Sequence, residues 1–104
     1  MDIKDIQALY DRKMVVLTQH FLERIGKRGI ALSDIKSAIA CGEIIEQYLD
    51  DYPHPSVLVL GYSKDKPVHI VVGLGGGFVW LITAYYPSPE VWEMDHKTRK
   101  VEDR

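Results

Sequence analysis

The stretch Val68–Tyr85, VHIVVGLGGGFVWLITAY, reads as two β-strands joined by a glycine turn. Val68–Val72 and Phe78–Tyr85 are rich in β-branched and aromatic side chains, which fit a pleated, half-buried surface. Gly73, Gly75, Gly76 and Gly77 supply the positive φ angles a reversal needs. With Gly73–Gly77 as the loop, Val72 pairs with Phe78 and His69 with Leu81. Side chains alternate along a strand, so one face carries Val68, Ile70, Val72, Phe78, Trp80, Ile82 and Ala84. The other carries His69, Val71, Val79, Leu81, Thr83 and Tyr85. An imidazole, a hydroxyl and a phenol thereby share a face, provided the register holds, because a one-residue slip would part them.

Working outward, Val57–Tyr62 reads as the preceding strand and Ser63–Pro67 as a polar turn. Glu43–Tyr48 is a further strand, followed by the proline-containing loop Asp50–Pro55. Pro87, Ser88 and Pro89 stop the last strand, and Val91, Trp92 and Met94 can fold back onto the sheet. Upstream, Ile3, Ile6, Leu9 and Tyr10 have helical spacing behind an Asp2 cap. Thr18 caps a helix over Gln19–Arg28, and Ser33-Asp34 caps a third over Asp34–Cys41. The expected fold is α+β, with two to three N-terminal helices packed on a four-stranded antiparallel meander in two layers. Residues 1–104 form one domain: an N-terminal helical extension at 1–14, a core at 15–93, and a charged, flexible tail at 94–104.

A net charge of −2 argues against a protein that holds nucleic acid by long-range attraction, so any such contact must be local. The single cysteine, Cys41, excludes an intramolecular disulfide. The chain shows neither a signal peptide's apolar core nor a membrane-length apolar run, and is expected in the cytoplasm.

His20, Arg24 and Arg28 follow i, i+4, i+8 spacing and form one stripe on the second helix, with Lys27 beside it. Arginine offers paired donors matched to phosphate oxygens, and imidazole can move a proton near neutral pH. A solvated polar face is the commoner meaning of such a stripe. His69 lies within an apolar strand and needs a partner if buried; a satisfied core histidine is the commoner case. GLGGG lacks the spacing and following helix of a phosphate-binding loop. Glu43 and Glu46, three apart in a strand, should face opposite ways. His20, His54, His69 and His96 are dispersed without metal-ligand spacing, so neither metal nor cofactor is expected.

The ordered set of His20, Arg24, Arg28, GEIIEQY, PVHIVV and ITAYYP resembles a small bacterial family, the domain of unknown function numbered four-two-five-eight. The resemblance runs from Leu17 to Trp92. That family looks distantly related to the RelE-like and barnase-like ribonuclease toxins, which set N-terminal helices against an antiparallel sheet. The resemblance implies a metal-independent endoribonuclease of a toxin–antitoxin pair, cutting RNA by attack of the 2′-hydroxyl. His20, Arg24, His69, Thr83 and Tyr85 would be its catalytic set, and Arg28 and Lys27 would hold RNA. It also implies RNA or the ribosome as a partner, and a zinc-finger antitoxin of the MqsA type. The rival expectation is a non-catalytic protein-binding module that keeps the same fold.

Overall fold

The computed structural model describes residues 2–101. Its order is α1 (Ile3–Asp11), β1 (Val15–Val16), α2 (Gln19–Lys27), α3 (Leu32–Ala40), β2 (Glu43–Tyr48), β3 (Ser56–Ser63), β4 (Lys66–Gly75) and β5 (Phe78–Tyr85). The fold is α+β, with three helices layered on one sheet of strand order β1-β5-β4-β3-β2. The four-strand expectation is corrected to five strands, and the sheet is mixed. Val15 and Val16 pair in parallel with Val79 and Trp80. Two residues carry too little periodicity to read as a strand in the sequence. The expected flexible tail includes residues 102–104, which lie outside the described residues.

Caps start the helices where orphan amide groups need acceptors. The Asp2 carboxylate accepts from the Lys4 amide at 3.1 Å, and the Thr18 hydroxyl oxygen from the Phe21 amide at 3.0 Å. The third helix begins earlier than its sequence cap suggests. Ala31 is its N-cap residue, and the Asp34 carboxylate reaches back to accept from the Ala31 amide at 2.8 Å.

The central hairpin differs from expectation in two linked ways. Its turn is only Gly76-Gly77, both at positive φ, so Gly75 pairs with Phe78. Gly73 and Gly75 belong to β4 instead. Gly75 is a close-approach glycine, since a Cβ there would lie 2.0 Å from His54 Nδ1. The register then shifts between Val71 and Val72, leaving Ile82 as an extra residue on β5. This bulge re-aims the strand. Before it Val79 and Leu81 point to the helices, and after it Ala84 does. Val79 and Leu81 therefore join Val68, Ile70 and Val72 in the buried core with Phe21, Ile25, Ile35 and Ile39. His69, Val71, Thr83 and Tyr85 share the opposite, outer face, because Val71 pairs with Thr83 and His69 with Tyr85.

Helix α3 sits directly on β3 at Gly61, where a Cβ would come within 1.9 Å of the Ala38 carbonyl oxygen. The obstacle is backbone and cannot swing aside. Gly61→Ala is expected to cost about 1–3 kcal/mol by forcing the layers apart, read as a lower denaturant midpoint at unchanged slope.

Candidate functional site on the outer face

The face of the sheet turned away from the helices is covered at one end by the chain that follows β5. Trp92 bridges to Arg99 in an antiparallel pair, with Glu93 N–H donating to the Thr98 carbonyl (2.8 Å) and Lys100 N–H to the Val91 carbonyl (2.7 Å). This small hairpin is pinned to β2. Lys97 pairs with Glu43 at 3.3 Å, and Arg99 makes a two-pronged contact to Glu46, Nε donating at 2.8 Å and Nη2 at 3.0 Å. Such forked pairing fixes direction as well as distance. Glu43 and Glu46 point the same way, contrary to the spacing argument. A register shift between Ile44 and Glu46 puts the extra residue Ile45 between them. Hydrogen bonds from the Thr98 hydroxyl and from the Lys97 and Thr98 amides hold Asp95, the turn carboxylate, down at a pKa of about 2.

Beneath this cover lies His69, wholly inaccessible to solvent. The Trp92 ring, itself only 3% exposed, meets it edge-on at 4.5 Å between centroids. His69 Nε2 lies 2.6 Å from the His96 carbonyl oxygen, and a carbonyl can only accept, so Nε2 carries the proton. Nδ1 of the neutral ring is then an acceptor, 3.4 Å from the Tyr85 hydroxyl. Burial lowers the His69 pKa, opposed by the His96 carbonyl and by the Glu46 charge. Burial likewise raises that of Tyr85, while the Arg99 and Arg28 charges pull it back. Tyr48 donates to Glu46 and is pushed up to about 12, chiefly by burial and then by that carboxylate.

His69 makes stability pH-dependent in a definite direction. The unfolded ring titrates near its ordinary 6.5 and the folded ring lower, so on acidification the unfolded chain takes up the proton first. The neutral ring's contribution is complete above that value and is lost as pH falls from it toward the folded pKa. Wild type should lose up to about 1.4 kcal/mol per pH unit there through this one group. Urea unfolding from pH 7.5 to 4.5 should show the difference between wild type and His69→Gln shrinking as pH falls; a constant difference would refute the assignment.

The other expected site residues divide. Arg28, at the C-terminal cap of α2, reaches round the β5 edge, its Nη1 donating to Thr83 Oγ1 (3.1 Å) and to the Ala84 carbonyl (2.8 Å). This edge lies beyond the two residues of β5 that β1 covers, and Arg28 satisfies one of its open carbonyls. The Arg28–Thr83 contact at the edge and the Tyr85–His69 contact further in thus lie on one face of the sheet. His20, Arg24 and Lys27 are exposed on α2, on the helix side of the sheet. Eight residues of helix separate His20 from Arg28, about 12 Å along the axis. The stripe leads to that edge, but the structure does not bring His20 and His69 together. The sequence reading did not assign Glu46, Tyr48, Trp92, His96 or Arg99 to the site. The alternation of Glu46 and Tyr48 in β2 was the available signal.

A helical layer on a sheet whose outer face holds a histidine–tyrosine pair among arginines defines the class: a small α+β domain with a polar site on the sheet. The sequence profile of one family, "Domain of unknown function (DUF4258)", matches residues 17–86, and the chain belongs to it. The covering hairpin follows that matched region. No curated protein and no solved structure matches the chain.

Proposed function

We propose that the protein is a metal-independent endoribonuclease, the toxin of a toxin–antitoxin pair, with Tyr85 as its reacting side chain and His69 behind it. The observation that carries this reading is the tautomer. The His96 carbonyl holds the Nε2 proton, which leaves Nδ1 to accept from Tyr85. A reacting hydroxyl, a base and a group that orients the base make up the arrangement by which side chains are activated. At 3.4 Å the contact is long, as such contacts are before substrate tightens them.

In this reading the 2′-hydroxyl attacks the adjacent phosphorus, the P–O5′ bond breaks, and a 2′,3′-cyclic phosphate and a free 5′-hydroxyl result. The 2′ proton passes to the Tyr85 oxygen as the phenol proton moves to His69 Nδ1. The leaving oxygen takes a proton from water, and the hydroxide so formed takes up a proton from Tyr85 as His69 Nδ1 returns its proton to the phenol, which restores the starting state. Burial disfavours the transient imidazolium, and the His96 carbonyl and the Glu46 charge offset part of that cost. Arg28 neutralises the phosphoryl oxygens, and Thr83 holds Arg28 in place. Arg24, Lys27 and His20 contact neighbouring phosphates along α2, a placement that moves His20 from proton transfer to binding. An antitoxin of the zinc-finger type would cover the same edge.

The test is induced expression at equal soluble levels. Growth arrest by wild type but not by Tyr85→Phe supports the reading. Growth unaffected by folded wild type removes it and leaves the protein-binding module.

A further inference from the structure

At the other end of the outer face a pocket of about 220 Å³ is lined by Asp51, Tyr52, His54, Trp80 and Ile82. Trp80 pairs with Gly73 and therefore shares a face with Thr83 and Tyr85 beyond the bulge. Its indole is fixed, Nε1 donating to the Gly75 carbonyl at 2.9 Å. His54 lies against it, centroids 5.1 Å apart and planes 38° apart, in the space that the absent Cβ of Gly75 leaves. Tyr52, 95% exposed, displays its ring to solvent at the rim. One Asp51 oxygen accepts from the Ser56 hydroxyl, and the carboxylate retains further acceptor capacity.

We infer that this aromatic slot stacks one unpaired nucleobase of single-stranded RNA, with Asp51 accepting from an amino group on the base edge. The choice of RNA as ligand rests on the function proposed above. Every base has a π-face, so stacking on Trp, His and Tyr binds single strands without demanding one sequence. In a chain of net charge −2 it supplies local affinity that long-range attraction cannot. The Asp51 carboxylate favours adenine, cytosine or guanine over uracil, which has no exocyclic amino group and flanks its one N3–H with two carbonyls. Five residues of β5 separate Trp80 from Tyr85, about 16 Å, which a few unstacked nucleotides bridge. The slot therefore holds a base a short way along the strand from the scissile bond.

The probe is a short labelled 2′-O-methyl RNA, which cannot react because its 2′ oxygens are blocked. Anisotropy then reads binding without turnover, so failure to cleave and failure to bind are separate results. Tyr52→Ala, at an exposed position, and His54→Ala should each raise Kd by roughly 5- to 100-fold. An oligomer with abasic residues should bind the wild type correspondingly weakly, and oligo(U) less tightly than oligo(C). Equal binding by wild type and both variants, equal binding of the abasic strand, or no binding at all overturns the inference. So does slot-dependent binding of an arginine-rich peptide in place of RNA, which would assign the pocket to a protein partner.

Discussion

Tyr85→Phe should reduce RNA cleavage by roughly 10²- to 10⁴-fold, the range that a positioned acid–base group contributes. The substitution removes one oxygen and keeps the ring. Phenylalanine fills the same half-buried space beside His69, whose ring meets that of Tyr85 at 5.3 Å, so the fold should be little disturbed. On the proposed mechanism, what is lost is the path from the 2′-hydroxyl to Nδ1. His69→Gln should fall by a similar factor, and the double variant by hardly more, because residues that act as a unit do not add. Arg28→Lys retains the charge but not the planar guanidinium whose Nη1 donates to both Thr83 and the Ala84 carbonyl; its loss should be smaller. Single-turnover rates on one RNA, with circular dichroism to confirm folding, check all four. Activity in Tyr85→Phe within a few-fold of wild type would exclude Tyr85 from the chemistry.

Trp92→Ala should destabilise the protein by about 3–5 kcal/mol, the usual consequence of truncating a buried indole. Trp92 is the centre of the C-terminal cover. It packs edge-on against His69, carries the Arg99 guanidinium over its ring at 4.5 Å, and bridges to the Arg99 backbone. Its loss should also admit water to His69 and move that pKa back toward its ordinary value. The acid-side slope of stability assigned to His69 should flatten accordingly. Denaturant unfolding across pH reads both effects. A loss below about 1 kcal/mol would mean that the cover is not integral to the fold.

The hairpin at the heart of the sheet was legible because β-branched residues on both sides of a glycine cluster leave few other readings. The capped helices were legible for a similar local reason, each starting where Asp2 or Thr18 meets an orphan amide. What escaped depends on contacts remote in sequence. Gly73 and Gly75 look like turn residues, yet Gly75 is glycine because the His54 ring occupies the place of its Cβ. Ile82 looks like one more alternating residue, but it is the bulge that returns Thr83 and Tyr85 to the face of His69. Ile45 does the same for Glu43 and Glu46. The charged run from Asp95 to Lys100 reads as solvated chain because its partners Glu43 and Glu46 lie some fifty residues earlier. Charge pattern alone could not show that Lys97 and Arg99 would meet them.

The measurement that bears most directly on the central claim is end analysis of RNA incubated with purified protein, as free RNA in excess EDTA and as ribosome-bound message in the magnesium that ribosomes require. Cleavage leaving 2′,3′-cyclic phosphate and 5′-hydroxyl ends, with or without ribosomes, and its disappearance in Tyr85→Phe, is the predicted result. Intact RNA under both conditions, 5′-phosphate ends, or equal cleavage by Tyr85→Phe would contradict it.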